Sequence, residues 1–224
     1  MHVSINVLLI LLVGCMEKET RTNLNEEPSN SDTALIVDSE HTQDTAQNTG
    51  SELEEITKSS KRGLAYNLLH EEDMESISSG VSWWYNWHFR SDMNGNYEQN
   101  HNMEFVPMLW GYNQDSDYIA LEEWLLEHPD TDSLLVLNEP NLIDQANMSP
   151  QTAVDYWIQY EEFQEYMLNT HNRYIRLIGP AMTWGTMPNY SDPVIWLDDF
   201  YAAFMGYHGR EPIIDALAFH WYDY

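Results

Sequence analysis

The sequence predicts an α/β fold, specifically a (β/α)8 TIM barrel of which about the first six βα units are present. Two observations support this prediction. Short apolar runs alternate with helical patterns from Arg62 onwards, as in repeated βα units. One of these runs, Leu134–Leu137, has no polar residue, which indicates a strand buried on both faces of a parallel sheet. A complete six-stranded open sheet is the alternative, but its last strand would be an unpaired apolar edge.

Six strands are predicted, each from an apolar run bounded by polar residues. In chain order they cover Gly63–Tyr66, Val81–Tyr85, Glu104–Trp110, Leu134–Leu137, Ile175–Gly179 and Ile214–Phe219. The third contains Pro107 near its middle, which cannot donate to a strand ladder and is a mild objection to this strand. A barrel of this kind needs roughly 200 residues or more. Residues 62–224 are fewer, so we expect the last two strands to be missing.

Three helices with identifiable starts are predicted between these strands. Asp115, Ser149 and Asp192 are the candidate N-caps, and the last two precede a proline, which suits the first helical position. Apolar residues at helical spacing define the predicted buried face of the second helix: Ala153, Trp157, Tyr160, Phe163 and Met167. The same pattern defines the face of the third: Val194, Leu197, Tyr201 and Phe204.

The N-terminal segment is predicted to lie outside the folded domain. Val7–Gly14 is too short an apolar stretch to span a bilayer and has the length of a signal-peptide core, so residues 1–14 are assigned as a signal peptide. Residues 15–61 are rich in Glu, Ser, Thr, Asn and Asp and lack aromatic residues, so they are predicted to form a disordered acidic tether. The folded domain is then expected to cover residues 62–224.

Cys15 is the single cysteine, so an internal disulfide is excluded. The run Leu12–Cys15 resembles the lipobox of bacterial lipoproteins, in which the signal is cleaved before the cysteine and that residue is acylated. In these lipoproteins, an aspartate directly after the cysteine keeps the protein in the inner membrane. This chain has Met16 at that position, so the resemblance favours the outer membrane. The segment before the apolar stretch has no Lys or Arg, so an ordinary secretory signal with a chance cysteine, and hence a secreted protein, is the alternative.

The chain is strongly acidic, because 37 Asp and Glu residues against nine Lys and Arg give a net charge of −28. Such a surface repels nucleic acid and anionic membranes, so we expect no nucleic acid partner and membrane contact only through the lipid anchor. No recognisable metal-ligand spacing and no phosphate-cradling glycine loop occurs, so neither metal nor cofactor is predicted. The composition suits a neutral ligand, and we expect a monomer.

Glu139 is the candidate catalytic residue. It directly follows the predicted fourth strand, which Pro140 ends, and the carboxyl ends of barrel strands are where catalytic groups gather. A turn that happens to carry an acid is the simpler interpretation of this residue taken alone. All nine Trp residues lie between Trp83 and Trp221, and aromatic faces stack on sugar rings as well as packing in cores.

Eight segments, in order, carry a resemblance to a known family. They are Arg62–Asn67, Trp83–Trp87, Phe105–Gly111, Asn138–Asn141, Gln145–Pro150, Gly179–Ala181, Trp196–Phe200 and His220–Tyr222. As a set they resemble the glycosyl hydrolase catalytic core family, glycoside hydrolase family 128, whose members are (β/α)8 barrels that act on β-1,3-glucan. The resemblance covers residues 62–224, about the first three quarters of such a domain.

The resemblance implies a role for each matched residue. Glu139 takes the place of the general acid/base, and Asn138 that of the asparagine that hydrogen-bonds the sugar 2-hydroxyl. The other implied substrate-binding residues are His220 and Tyr222 at the cleavage subsite, Asn67 and Asn86 for sugar hydroxyls, and Trp87, Trp110, Trp184 and Trp221 as sugar platforms. For each tryptophan, plain core packing is the alternative.

The activity implied by the resemblance is hydrolysis of O-glycosidic bonds in a β-glucan by a retaining double displacement. In the family the nucleophilic glutamate ends a seventh strand, which we expect this chain to lack, so the 224-residue chain itself is expected to be inactive. Asp223 is the only acid near the end of the sixth strand, and it does not match the nucleophile position. The alternative function is a non-catalytic, surface glycan-binding lipoprotein on a degenerate barrel.

Overall fold

The computed structural model describes residues 6–8, 58–91, 93, 97–111 and 115–221. The strands are β1 (Asn6–Leu8), β2 (Gly63–Ala65), β3 (Trp83–Tyr85), β4 (Glu104–Phe105), β5 (Met108–Leu109), β6 (Ser133–Val136), β7 (Arg176–Met182) and β8 (Ala216–Phe219). The helices are α1 (Glu71–Ile77), α2 (Tyr97–His101), α3 (Asp115–Glu127), α4 (Pro150–His171) and α5 (Pro193–His208). Strands and helices therefore alternate over most of the chain, as the sequence predicts.

The strands pair in parallel and form two sheets. One sheet has the order β1-β8-β7-β6-β5, and the other has the order β2-β3-β4. The predicted α/β class with a parallel sheet is confirmed. Within the described ranges the strands do not close into a barrel, so the eight-stranded barrel stays a prediction.

The two sheets meet where the third predicted strand divides. The segment between β4 and β5 contains Pro107, which has no N–H to donate to a ladder. The N–H of Val106 donates to Trp84 O (2.9 Å) in β3, whereas the Pro107 carbonyl accepts from Leu135 N (2.9 Å) in β6. The prediction of one strand over Glu104–Trp110 is therefore wrong, because two short strands, β4 and β5, occupy this segment. The other five predicted strands correspond to β2, β3, β6, β7 and β8.

The backbone of β1 pairs in parallel with β8, from Asn6 opposite Ala216 to Leu8 opposite Ala218. This strand lies inside the segment assigned above as a signal peptide. Cys15 and most of the predicted tether lie outside the described residues. The signal peptide, the lipidation site and the tether thus stay predictions.

Both faces of the central strands are buried. All four residues of β6 are buried, which confirms the interpretation of the apolar run as a strand covered on both sides. Leu134 and Val136 pack into the large core between the sheet and the helices, while Leu135 packs into a smaller cluster on the opposite face. That smaller cluster joins residues of both sheets: Tyr85, Val106, Met108, Leu135, Ile178, Ala181, Ala216 and Ala218.

The helix starts follow the predicted capping residues. Ser149 Oγ accepts from Thr152 N at 3.2 Å before α4, and Asp192 Oδ1 accepts from Val194 N at 2.8 Å before α5. Each of these helices ends at a residue in the left-handed conformation, Asn172 (φ 54°) and Gly209 (φ 67°). Helix α3 begins at Asp115, so this residue lies within the helix and not before it as the predicted N-cap, and its side chain is outside what the structure describes.

The predicted buried face is confirmed for α4 and is partly wrong for α5. All five residues named for α4 are buried. In α5, Leu197 and Phe204 are buried, but Val194 is 55% exposed, and Trp196 and Phe200 lie in the core instead. The core-facing stripe of α5 includes Phe200, whose ring lies 5.5 Å from that of Trp157 on α4, and Val194 in the first turn is off this stripe.

Helices α1 and α2 were not predicted because they are short and show little apolar periodicity. Helix α1 buries only Met74. Among the helices of the described ranges, none combines the length and apolarity needed to span a bilayer.

Candidate active site

Glu139 lies just beyond β6, where the backbone departs from strand geometry. Leu137 and Glu139 have positive φ angles of 54° and 48°. The left-handed region costs non-glycine residues about 1–3 kcal/mol and is concentrated at functional sites. Hydrogen bonds to neighbouring strands hold this conformation, because Asn138 N donates to Trp110 O (2.7 Å) and Glu139 N donates to Ala181 O (2.8 Å). The fold therefore fixes the direction of the Glu139 side chain.

His220 forms a buried pair with Glu139. The Nδ1 atom of His220 is 2.7 Å from Oε1 of Glu139, and the two side chains are only 3% and 6% exposed. His220 follows β8, and its N–H donates to Met182 O (2.8 Å) on β7. An imidazole and a carboxyl at this distance share one hydrogen bond, whose direction depends on the tautomer and protonation of the pair. Such a pair can hold a proton and deliver it to a reacting group, which is the basis of general acid/base catalysis.

Asn138 is buried beside this pair. Its Nδ2 donates to Oε1 of Gln145 at 2.9 Å. Gln145 thus orients the amide that the resemblance assigns to the sugar 2-hydroxyl. The sequence analysis quoted Gln145 as part of a motif but gave it no role, because nothing local indicates that its side chain returns to a residue seven positions earlier.

Two exposed indoles lie beyond the neighbouring strand ends. Trp184 follows β7, Trp221 follows β8, and they are 61% and 52% exposed. Their ring centroids are 6.2 Å apart with an interplanar angle of 64°. Glu139 and His220 follow β6 and β8, so the indoles and the acid lie at the same ends of adjacent parallel strands. Large exposed aromatic side chains grouped in this way are typical of a binding surface.

The other predicted site residues form a second group at the ends of β2 and β3. Asn86 Nδ2 is 3.4 Å from Asn67 Oδ1 and donates to Arg90 O at 3.2 Å. Trp87 has a φ of 61°, is 39% exposed, and its ring lies 5.3 Å from that of Tyr85.

Two further predicted site residues are Trp110 and Tyr222. Trp110 is partly buried and packs against the smaller core cluster, and its role as a sugar platform stays a prediction. Tyr222, like Asp223, lies outside the described residues. Among the side chains that are described, no group of three or more His, Cys, Asp or Glu could hold a metal ion.

Comparison with known proteins places this site in a family. The sequence model of the family described as glycosyl hydrolase catalytic core matches residues 63–224. The chain belongs to this family. The resemblance identified from the sequence is thereby confirmed, and Glu139, Asn138 and His220 all lie within the matched residues. A search of curated proteins gave no match.

Solved structures of family members are similar to most of the chain. A glycoside hydrolase family 128 (subgroup II) endo-β-1,3-glucanase from Pseudomonas viridiflava is 48% identical, with a TM-score of 0.68 over 75% of this chain and 63% of that one. A subgroup II endo-β-1,3-glucanase from Sorangium cellulosum is 33% identical, with a TM-score of 0.58 over 72% of this chain and 60% of that one.

A third structure contains a sugar. The subgroup III curdlan-specific exo-β-1,3-glucanase from Blastomyces gilchristii, in complex with glucose, is 32% identical, with a TM-score of 0.52 over 72% of this chain and 61% of that one. The chain thus spans about three fifths of the length of these relatives.

Proposed function

We propose that the protein hydrolyses O-glycosidic bonds in a β-glucan, most readily the β-1,3 linkage, on a (β/α)8 barrel of which this chain forms about six units. The buried Glu139–His220 pair at the ends of parallel strands, in a glycosyl hydrolase family member, carries the proposal. The relatives described above are β-1,3-glucanases, and one of them binds glucose. A neutral polysaccharide also suits a chain with a net charge of −28.

Each residue of the site then has a defined task. Glu139, as the acid, protonates the leaving oxygen while the glycosidic bond breaks, and as the base it later takes a proton from water. His220 holds the carboxyl group in place. Asn138 binds the sugar 2-hydroxyl, a contact that strengthens in the transition state. Trp184 and Trp221 stack on sugar rings.

A retaining reaction needs a second carboxylate about 5–5.5 Å from the first. The resemblance places it on a glutamate at the end of a seventh strand. Asp223 is the acid nearest to the site in sequence, although it does not match that position.

The test is a comparison of laminarin cleavage by the wild-type chain, Glu139→Gln and Asp223→Ala, each with and without added azide. Azide supplies an external nucleophile, so it restores cleavage where the protein's own nucleophile is missing. Because the chain is expected to lack its nucleophile, we expect the wild type to cleave laminarin only with azide. This cleavage should depend on Glu139, because removing a general acid/base lowers rates about 10²–10⁴-fold. Glu165→Gln, which removes an exposed carboxylate from α4, is the matched control and should behave as wild type.

Three results would separate the alternatives. Cleavage that appears only with azide would show that Glu139 works and that the nucleophile is absent. Cleavage without azide that Asp223→Ala abolishes would make Asp223 the nucleophile. If the chain neither cleaves laminarin nor binds laminarihexaose, the proposal is wrong.

A non-catalytic glycan-binding protein is the second candidate, and the exposed Trp184–Trp221 pair is the observation that favours it. Two open indole faces bind sugar without any acid. This candidate predicts binding of laminarihexaose with no cleavage, with or without azide, and equal affinity for wild type and Glu139→Gln.

We also propose attachment to the bacterial cell envelope through acylation of Cys15. The support is the lipobox-like run before this residue. Incorporation of labelled palmitate into the wild-type chain but not into Cys15→Ser would agree with it. Equal labelling of both chains, or none in either, would contradict it.

A further inference from the structure

Asn141, the last residue of the Asn-Glu-Pro-Asn tetrad, joins the loop after β6 to the loop after β7. It is fully buried. Its Nδ2 donates to Thr183 O at 2.7 Å and lies 3.4 Å from Tyr190 O. Its main-chain carbonyl accepts from Thr186 N (3.1 Å) and Met187 N (3.0 Å). One residue therefore makes four contacts with residues 183–190.

These contacts surround Trp184. Thr183 precedes Trp184 in the chain and Gly185 follows it. Gly185 is tightly packed, because a Cβ at this position would lie 2.0 Å from Tyr190 O and 2.6 Å from Asn141 Nδ2. Thr186 adds a further link, because its Oγ1 accepts from Ile143 N at 3.0 Å. The backbone on both sides of Trp184 is thus held against the loop that begins with Glu139, while the indole itself is 61% exposed.

The orientation of the Asn141 amide is fixed by chemistry. Both atoms that face Nδ2 are carbonyl oxygens, which only accept hydrogen bonds, so the NH₂ group must point at them. Aspartate has the same shape, but its second carboxylate oxygen would take the place of Nδ2. That oxygen only accepts hydrogen bonds, as do the two carbonyl oxygens that it would face. The loop after β7 also has an independent attachment, because Tyr190 OH donates to Asp199 Oδ2 (3.1 Å) on α5, and burial together with this bond raises the pKa of Tyr190. Substitution of Asn141 removes the side-chain contacts with Thr183 O and Tyr190 O and leaves the main-chain bonds at Asn141 O, so it should free the start of the loop without detaching all of it.

We propose that Asn141 is a positioning residue that fixes Trp184 beside Trp221 and thereby sets the affinity of the site for a glucan chain. This inference rests on the proposed function, since it takes Trp184 as a sugar platform. Asn141 touches no sugar and acts only through the placement of the indole. The loop that carries the acid thereby positions the loop that carries the platform.

A double-mutant cycle on the intact chain tests the inference. Laminarihexaose is titrated by calorimetry into wild type, Asn141→Asp, Trp184→Ala and the double variant. An aromatic stacking contact contributes about 0.5–1.5 kcal/mol beyond buried area, so Asn141→Asp and Trp184→Ala should each weaken binding about two- to thirteenfold. The double variant should bind no more weakly than Trp184→Ala alone. Asn169→Asp, which adds the same charge at an exposed site on α4, is the matched control and should bind as wild type.

A ligand-free measurement keeps the inference separate from the proposed function. The near-ultraviolet circular dichroism of two indoles 6.2 Å apart depends on their relative orientation. Trp184→Ala should change the wild-type spectrum, and Asn141→Asp should change it in largely the same way. Asn141→Ala, which removes the donor without adding a charge, replaces Asn141→Asp if that variant does not fold.

Two outcomes would overturn the role of Asn141. In the first, Asn141→Asp weakens binding as much in the Trp184→Ala background as it does in the wild type. In the second, the near-ultraviolet spectrum of Asn141→Asp is identical to that of the wild type. Failure of wild type to bind laminarihexaose would instead contradict the proposed function, and the spectra would still decide whether Asn141 positions Trp184.

Discussion

Replacing Arg210 by alanine should destabilise the protein more than replacing its buried partner Glu161 by glutamine. The Glu161 side chain is 4% exposed, whereas that of Arg210 is 45% exposed. The carboxylate accepts from Ile213 N at 2.7 Å and from both terminal nitrogens of Arg210. The hydrogen bond to Glu161 raises the pKa of Arg210, so the guanidinium stays charged. One charge of the pair is thus buried while the other is half solvated, and the two substitutions are not equivalent.

The magnitudes follow from this asymmetry. Arg210→Ala leaves a buried carboxylate with only the Ile213 N–H, and removing one partner of a buried pair costs about 3–5 kcal/mol. We expect about 3 kcal/mol, because Ile213 still donates. The guanidinium of Arg210 also lies 5.2 Å from the centroid of the Phe204 ring, and loss of this cation–π contact adds about 0.5–1 kcal/mol. Glu161→Gln keeps an acceptor for Ile213 and loses a charge-assisted bond, at about 2 kcal/mol. The double variant buries no charge and should therefore be about 1 kcal/mol more stable than Arg210→Ala alone.

Urea-induced unfolding followed by tryptophan fluorescence measures all three differences. Arg176→Ala is the control, because it removes an ion pair that is exposed to solvent. Nη2 of Arg176 lies 2.6 Å from Oδ1 of Asp132, and both side chains are more than half exposed. An exposed pair of this kind contributes about 1 kcal/mol or less. A double variant no more stable than Arg210→Ala, or an Arg210→Ala cost equal to that of the control, would show that Glu161 is not in a low-dielectric environment.

Two further predictions concern stability. Tyr174 OH donates to Asp215 Oδ1 at 2.9 Å, and burial followed by this bond raises the pKa of Tyr174 to about 12. The raised pKa means that the protonated Tyr174 stabilises the folded state. This stabilisation is fully present below the unfolded-state pKa of about 10 and is lost as the pH rises towards about 12. The two-unit shift corresponds to about 2.7 kcal/mol, which we reduce to about 1 kcal/mol because Tyr174 is 45% exposed. Tyr174→Phe should therefore flatten the fall in urea midpoint across this pH range, and parallel curves for both proteins would refute the assignment. Ser149→Ala should cost about 1 kcal/mol of unfolding free energy through loss of the α4 cap, compared with little change for the exposed Gln151→Ala, and equal urea midpoints for the two variants would contradict it.

The features that were predictable from the sequence depend on near neighbours in the chain. Ser149 and Asp192 cap helices because each precedes a proline and an apolar pattern, and both caps are present. The unbroken apolar run before Asn138 predicted a strand buried on both sides, and β6 is one. Glu139 was found for the same reason, since its position after this strand needed no knowledge of tertiary contacts.

The features that were not predictable depend on distant parts of the chain. Glu139 and His220 are 81 positions apart, and only the pairing of β6 to β7 and of β7 to β8 brings them within 2.7 Å. The exposure of Val194 depends on how α5 is rotated against α4, which the helical period alone does not determine. The contacts of Asn141 arise from two loops that meet only after both strands are in place.

The positions of the acid and of the sugar platforms depend on different interactions. Glu139 is held by backbone hydrogen bonds between adjacent strands, from Asn138 N to Trp110 O and from Glu139 N to Ala181 O. Side-chain substitution leaves such bonds intact, so changes in the loop after β7 should leave the acid where it is. Trp184, by contrast, lies in a loop that the buried side-chain amide of Asn141 links to the loop after β6, in addition to the main-chain bonds at Asn141 O. Under the proposed function, variation in this loop can therefore change the affinity for glucan without moving Glu139.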